Sequence, residues 1–321
     1  MHFPTVDPEL GDPVRTIGAR TFDFSRQVAV MGIVNRTVDS FYDRGATFAL
    51  EKAVDAALQA VAHGADWVDV GAVPFSPIAE KVDERAELDR LLPVVEAVRA
   101  GTDAVISVDT FRAEVARHAL RAGADAVNDT SGLHDPQMAR VVGDAGATLV
   151  VTHSRAAPGQ PLARPHYDDV VADVAEYLLD RAGRAVAAGV GKDRIIIDPG
   201  HDLNKNTLHS LELTRRLGEL ATLGFPLLAS VSNKDFVQET LDYRTAEIPP
   251  ALRTIRDPGP AELAPVVHTQ PPTPVKMVCA VVMEGFLLLG LVRLFRRRKA
   301  STEDGGLPRE VAFLVWGSMA A

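Results

Sequence analysis

The sequence predicts an α/β protein of the (β/α)8 TIM-barrel type that is incomplete or irregular at its eighth βα unit. From residue 27 to about residue 241, short β-branched runs alternate with Ala-rich amphipathic stretches, a pattern typical of parallel strands joined by helical crossovers. Each short run is almost continuously apolar, as a strand covered on both faces must be. About seven units can be counted, so one strand is lacking. An open doubly wound sheet is the alternative, but its glycine-rich phosphate loop is absent after the first strand.

The elements follow from where the apolar runs and the helical spacings lie. In chain order, the predicted strands are Val28–Val34, Trp67–Val70, Ala104–Val108, Ala126–Asn128, Thr148–Val151, Arg194–Ile197 and Pro226–Val231. The predicted helices include Leu50–Ala62, Arg85–Arg99, Ala113–Ala122, Asp169–Ala188 and Leu208–Leu220. The strands are short runs bounded by polar or turn residues, whereas the helices are longer and amphipathic.

Composition narrows the class of protein. The chain has 321 residues, 46% of them hydrophobic, and a formal net charge of −9, which argues against a general nucleic-acid binder and against global disorder. The single cysteine, Cys279, excludes an intramolecular disulfide framework and a Cys-based zinc cluster. Residues 1–18 contain no apolar signal-peptide core, so we expect a cytoplasmic protein.

The character of the chain changes near residue 242. We predict an N-terminal extension (1–26), a barrel (27–243), a Pro-rich linker (244–274) and an atypical C-terminal tail (275–321). Within the tail, an apolar segment followed by a basic run, 277–299, resembles a short membrane helix. Glu284 opposes insertion by about 2.5–3.5 kcal/mol, so membrane contact is disfavoured but open. A buried or interfacial helix, or sequence from a shifted reading frame, accounts for the segment equally.

Polar residues follow the predicted strands, and in a barrel these positions converge on one mouth. They are Asn35, Asp69, Asp109, Asn128 with Asp129, His153, Asp198, and Ser232 with Lys234. Carboxylates and amides can read the edge of a polar heterocycle, and a lysine suits an anionic ligand. Any one of these residues could simply cap the next helix, as Asp109 could cap a helix starting near Arg112. His201 and Asp202 could bind a metal, but loop polarity explains them equally, so no transition-metal site is predicted.

Six strings occur in a recognisable order. They are MGIVNRTVDSFYD (31–43), GADWVDVG (64–71), SVDTFR (107–112), VNDTSG (127–132), IDPG (197–200) and SNK (232–234). Together they resemble dihydropteroate synthase and its family of pterin-binding barrels. The resemblance implies a transferase of folate biosynthesis: dihydropterin-CH₂-pyrophosphate binds at the mouth, pyrophosphate leaves with the help of Mg²⁺, and the amine of 4-aminobenzoate attacks the pterin methylene.

The resemblance also implies roles for individual residues and an assembly. Asn35 would contact the Mg²⁺-pyrophosphate, and Asp109, Asn128 and Asp198 would hydrogen-bond the pterin. Lys234 would lie over the pterin and the aminobenzoate, which makes Lys234 and Asp109 the candidate catalytic residues. A homodimer is the expected assembly.

Several positions depart from the family pattern. Phe75 and Ser76 stand where the second loop of the family has Thr and Arg, Asn233 replaces an Arg, and the first loop has Arg36 and Val38 in place of the usual Val and Pro. The Arg-x-His of the eighth family strand has no counterpart, since the nearest string is VVH (266–268).

These departures predict weak or lost synthase activity. They also predict a gap in the barrel that the tail or another chain must fill. A non-catalytic pterin-binding or structural paralogue, in one version membrane-associated, is the main alternative. A pterin-dependent methyltransferase, which would need a corrinoid partner, is a further one.

Overall fold

The computed structural model describes residues 13–36, 46–73, 81–158, 160, 165–232, 234–237, 239–240 and 313–318. Its strands are β1 (Val14–Ile17), β2 (Arg20–Asp23), β3 (Val30–Asn35), β4 (Trp67–Gly71), β5 (Val105–Asp109), β6 (Ala126–Asp129), β7 (Thr148–Thr152), β8 (Ile195–Asp198), β9 (Leu227–Ala229) and β10 (Phe313–Ser318). Its helices are α1 (Ala46–Ala62), α2 (Glu84–Gly101), α3 (Ala113–Arg121), α4 (Met138–Ala145), α5 (Val170–Ala187), α6 (Thr207–Arg215) and α7 (Leu217–Leu220).

Strands β3 to β10 form a closed, all-parallel barrel in the order β10-β3-β4-β5-β6-β7-β8-β9. The predicted TIM-barrel class is confirmed, and its irregularity lies at the eighth strand, as expected. This strand is β10, which comes from the tail and pairs Val315 with Val30 on one side and Phe313 with Leu227 on the other. The tail therefore fills the gap that the seven strands of the body leave.

A hairpin that sequence reasoning did not identify closes the bottom of the barrel. Strands β1 and β2 pair antiparallel through Ile17 and Arg20. The hairpin and the residue after it bury Ile17, Phe22 and Phe24 against apolar side chains at the N-terminal ends of the barrel strands, and the two phenylalanine rings stack at 5.5 Å. The N-terminal end of the barrel is thus an apolar core.

The helices cover the outside of the barrel through one apolar face each. Helix α5 begins at Asp169, whose carboxylate accepts hydrogen bonds from the backbone of Val171 and Ala172 and so satisfies two donors of the first turn. Its buried residues recur every three or four positions, as in Val174 and Leu178. They pack against the outward-facing valines, leucines and isoleucines of the strands.

Along each barrel strand, every second residue points inward, and the inward residues become polar toward the C-terminal end. On β4, buried Trp67 is followed two residues later by Asp69, and on β5, Val105 is followed by Ser107 and then Asp109. Because all strands run parallel, these polar positions meet at one mouth. The sheet register sets Asp69 beside Ser107 and Gly71 beside Asp109.

Several predicted features lie outside the described residues. They are the loop positions Val38, Phe75, Ser76 and Asn233, the string VVH (266–268), and the apolar segment 277–299. In the part of the chain that the structure describes, no helix is long and apolar enough to cross a membrane.

Candidate functional site

The centre of the mouth is a buried chain of hydrogen bonds that ends on Asp69. Trp67 Nε1 donates to Ser107 Oγ at 2.7 Å, and Ser107 Oγ donates to Asp69 Oδ1. Asn128 Nδ2 donates to the second oxygen, Asp69 Oδ2, at 3.0 Å. Asp69 is only 1% exposed, and three strands hold it in place.

Two further carboxylates, Asp109 and Asp198, share the mouth with Asp69. Burial raises the pKa of Asp69, and it raises the pKa of Asp198 to about 6. Burial, together with repulsion from Asp69, raises the pKa of Asp109 well above its ordinary value. Lys234 acts in the opposite direction and lowers the pKa of both Asp109 and Asp198. Three acids and one amine are therefore within electrostatic reach of one another.

Buried polar atoms at the mouth lack protein partners. Among the described residues, Asn128 Oδ1, Thr152 Oγ1 and Ser230 Oγ have no hydrogen-bond partner. An unpaired buried polar group costs about 1–3 kcal/mol, so such groups at a cavity usually serve a ligand or water. Asn128 donates its amide N–H to Asp69 and keeps its carbonyl oxygen as a free acceptor. A ligand that presents an N–H edge would satisfy it.

Asp109 is positioned by residues behind the mouth. Thr130 Oγ1 donates to Asp109 Oδ1 at 3.2 Å. Beyond it, Thr110 Oγ1 donates to Glu87 at 2.6 Å, and Arg112 forms an ion pair with the same carboxylate. The proposed alternative in which Asp109 caps the following helix is wrong, because the backbone N–H of Ala113 at the start of α3 donates to Asp135 instead.

Asn35 is the residue that the resemblance links to Mg²⁺-pyrophosphate. It is the last residue of β3 and is exposed. A Cβ added at Gly71 would lie 2.8 Å from Asn35 Oδ1 and 3.7 Å from Asp109 Cβ, so both side chains border Gly71. No group of three or more His, Cys, Asp or Glu residues able to hold a metal occurs in the described segments. A magnesium ion usually binds through one or two carboxylates together with substrate phosphates and waters. Asn35 offers one amide oxygen, and oxygen ligands are the kind that magnesium accepts.

A buried lysine beside the mouth escaped sequence reasoning. Lys205 Nζ lies 2.7 Å from His153 Nδ1 and donates to the carbonyl oxygens of Gly200 and Leu203 at 2.8 and 3.0 Å. The loop that carries it is held by Asn204, whose Oδ1 accepts hydrogen bonds from the backbone of Arg155 and Ala156. The same loop places His201 against the Phe236 ring at 5.5 Å. His153 and His201 are therefore packed structural residues beside the mouth.

Burial lowers the pKa of Lys205 to about 7, with Asp198 and Asp173 favouring its charge and Arg155 and Lys234 opposing it. Between pH 7 and 10.5 the unfolded chain then binds more protons than the folded one, so this lysine makes stability rise with pH by at most about 1.4 kcal/mol per pH unit.

We expect Lys205→Met to flatten the rise of Tm between pH 7 and 9.5, measured by scanning calorimetry. Lys192→Met, at an exposed lysine, is the control and should retain the wild-type slope. An unchanged slope in Lys205→Met would show that Lys205 is not buried as described.

Carboxylates and an amide oxygen that converge at one end of a barrel can accept hydrogen bonds from an N–H-rich heterocycle, and a lysine beside them offsets their charge. These are the features expected of a pterin-binding enzyme. A family model described as pterin binding enzyme matches residues 31–264, and this chain belongs to that family. It is 51% identical over 226 residues to the inactive dihydropteroate synthase 2 of Mycobacterium leprae, covering 68% of this chain and 77% of the relative. It is 38% identical over 231 residues to the dihydropteroate synthase of Synechocystis, covering 72% and 80%. Among solved structures, the dihydropteroate synthase of Xanthomonas albilineans with 4-aminobenzoic acid superimposes with a TM-score of 0.71 and 30% identity, covering 95% of this chain and 93% of that one.

The resemblance to dihydropteroate synthase is thereby confirmed, and the individual ligand contacts stay predictions. The structure brings together Asp109, Asn128 and Asp198, with Lys234 acting on both aspartates. Asp69 is the residue that sequence reasoning noticed at a strand end but left without a role. Its position could have been inferred from the sequence. Side chains alternate along a strand, so Asp69 points to the same side as Trp67, two residues earlier, which is the inside of the barrel.

Proposed function

We propose that this chain is a pterin-binding barrel of dihydropteroate synthase type that binds dihydropterin pyrophosphate and turns it over weakly or not at all. The observation that carries the proposal is the unpartnered Asn128 Oδ1 beside three carboxylates, of which Asp69 and Asp198 are buried. Such a site can accept several N–H groups from one ligand edge, and carboxylates bind N–H donors about twice as strongly as neutral acceptors do. Lys234 would offset part of the negative charge.

Weak or absent turnover is supported by residues that depart from the sequence pattern of the family. Groups that only bind the ground state lower KM without raising kcat, whereas catalysis needs groups that act on the leaving group. The predicted pterin contacts are retained, but Phe75, Ser76 and the string VVH (266–268) replace the loop and pyrophosphate residues of the family pattern. A relative that shares half of its residues with this chain over the barrel is named inactive.

Magnesium enters this proposal only with the pyrophosphate, whose charge it would neutralise. Asn35 is the described residue that would meet it. The cytoplasmic location and the homodimer are further parts of the proposal and are supported by the family resemblance alone. Light scattering and cell fractionation test both, and extraction from membranes only by detergent would favour the membrane-associated alternative.

The direct test is calorimetric titration with the dihydropterin pyrophosphate and Mg²⁺, followed by a pyrophosphate-release assay with 4-aminobenzoate. We expect saturable binding and little release. Release at the rate of a working synthase, measured beside the protein in the same assay, would contradict the loss of activity. The absence of any binding would contradict the pterin site itself.

Asn128→Ala is expected to weaken dihydropterin binding about tenfold, because it removes one buried acceptor that faces the ligand. Ser107→Ala is the matched control: it also removes one hydrogen bond to Asp69, but its hydroxyl lies between Trp67 and Asp69 and does not face the ligand. Both variants are titrated by calorimetry. Equal losses would mean that Asn128 acts only by holding Asp69.

A further inference from the structure

A second cavity lies outside the mouth, on the rim of the barrel. It has a volume of about 320 Å³ and lies between the loops that follow β6 and β7 and the outer face of α5. Its walls include Ser131, Gly132, Ser154, Tyr177, Arg181 and Arg184. None of the candidate pterin residues lines it, so it is separate from the site described above.

The two loops that form this rim cavity are fixed by Tyr177. Its hydroxyl donates to the carbonyl oxygen of Ser154 at 2.8 Å and lies against Gly132, where any Cβ would collide with it. Gly132 also has φ +67°, a conformation that favours glycine. Ser154 is held from the other side, because its hydroxyl donates to Asn204 Oδ1 at 3.2 Å. The cavity is therefore built by packed and hydrogen-bonded groups.

The charge of the rim cavity comes from one face of α5. Tyr177, Arg181 and Arg184 are four and three residues apart, so they lie on the same side of the helix. The Arg181 guanidinium lies over the Tyr177 ring, with 4.6 Å between Cζ and the ring centroid, and its Nη1 donates to Asp180 at 3.0 Å. Its Nε is buried and has no hydrogen-bond partner among the described residues.

Arg184 adds a second cation. Its side chain is exposed and forms no ion pair with any residue of the described segments. The third arginine of the cavity, Arg155, is already engaged, because it binds Asp173 and donates to the carbonyl oxygen of His166. No Asp or Glu lines the cavity. The donors without a partner among the described residues are therefore Arg181 Nε and the guanidinium of Arg184. Arg181 is also paired with Asp180, which does not line the cavity.

We propose that this rim cavity binds the phosphate group of a small organic phosphate, with Arg181 and Arg184 donating to its oxygens. A carboxylate has two coplanar oxygens that a single guanidinium satisfies, whereas a phosphate group has three oxygens in a tetrahedral arrangement and accepts from two separate guanidinium groups. The volume suits a ligand at the small end of the usual range for binding pockets. Leu133, Ala156 and Ala157 line the remaining wall and would contact the organic part.

The test uses the full chain titrated with phenyl phosphate and with inorganic phosphate at constant ionic strength, and with benzoate as the carboxylate counterpart. We expect saturable binding of phenyl phosphate that is at least tenfold weaker in the double variant Arg181→Gln/Arg184→Gln. Arg140→Gln, which removes an exposed arginine of α4, is the matched control and should bind like the wild type. Asn35→Ala should also leave this binding unchanged, which separates the rim cavity from the pyrophosphate position proposed at the mouth.

Three outcomes would overturn the proposal. They are equal binding by the double variant, loss of binding in Asn35→Ala, and benzoate binding as tightly as phenyl phosphate. Loss of binding in Asn35→Ala would place the phosphate at the mouth. If the double variant fails to fold, as judged by circular dichroism, Arg184→Gln alone decides, since its side chain is exposed; at least a threefold loss of affinity supports the proposal, and an unchanged affinity contradicts it.

Discussion

Asp109→Asn is expected to stabilise the ligand-free protein and to lower its affinity for the dihydropterin pyrophosphate about a hundredfold. Burial and the neighbouring Asp69 raise the pKa of Asp109 well above its ordinary value, so its charge is less favourable in the folded state than in the unfolded one. Asn keeps the acceptor for Thr130 and removes the charge, which we expect to add about 1 kcal/mol at pH 7. The ligand loses a charged acceptor, which accounts for the fall in affinity.

The stability difference between Asp109→Asn and the wild type should depend on pH. The stability that a raised carboxyl pKa contributes is present below the unfolded pKa and is lost as pH rises through the folded pKa. The advantage of Asn over Asp should therefore shrink as pH falls toward 4. Asp169→Asn is the control, because Arg216 lowers the pKa of Asp169. The charge of Asp169 is therefore favourable in the folded state, and Asp169→Asn should destabilise the protein. Thermal unfolding at several pH values checks both, and destabilisation by Asp109→Asn at pH 7 would contradict the description of the mouth.

Glu87→Ala is expected to produce the largest loss of stability, about 3 kcal/mol. Glu87 is fully buried on α2. Its carboxylate accepts a hydrogen bond from Thr110 and forms an ion pair with Arg112, both in the turn after β5. Removing one partner of a buried ion pair costs about 3–5 kcal/mol, and the lower value applies because Arg112 is 23% exposed. For a folded unit of about 150–250 residues, which is the size of this barrel, Tm should fall by about 6–12 °C.

Two further variants separate the ion pair from general helix effects. Glu114→Ala removes an exposed partner of Arg117 and His118 and should change the free energy of unfolding by less than about 0.5 kcal/mol. Glu87→Gln keeps an acceptor for Thr110 and should fall between the two. Because Asp109 directly precedes this turn, Glu87→Gln should also weaken dihydropterin binding. Equal stability of Glu87→Ala and Glu114→Ala would contradict the buried ion pair.

Most of the barrel could be predicted because its signals are local. The apolar run 195–197, within the predicted strand Arg194–Ile197, and the helical spacing of α5 each identify an element without knowledge of the rest of the chain. The mouth could be located for the same reason, since polar residues follow the strands directly. Asp109, Asn128 and Asp198 were all found in this way.

What sequence reasoning missed depends on contacts between distant segments. The hairpin of β1 and β2 is recognised by the apolar residues it buries under the barrel. In the sequence, Lys205 is indistinguishable from an ordinary loop lysine. Its burial depends on His153, which follows β7 and contacts its amine. The rim cavity needs Arg181 beside loops that precede it by tens of residues. Spacing along the chain carries no sign of such proximity.

The origin of β10 has a consequence for how the barrel is made. Its pairing of Val315 with Val30 joins residues from almost opposite ends of the chain, and contacts of such long range slow folding because the loop must be closed first. During synthesis, β3 and β9 would leave the ribosome with one edge each unpaired, and unpaired strand edges promote association between chains. Until β10 emerges, both edges stay open to pairing with another chain.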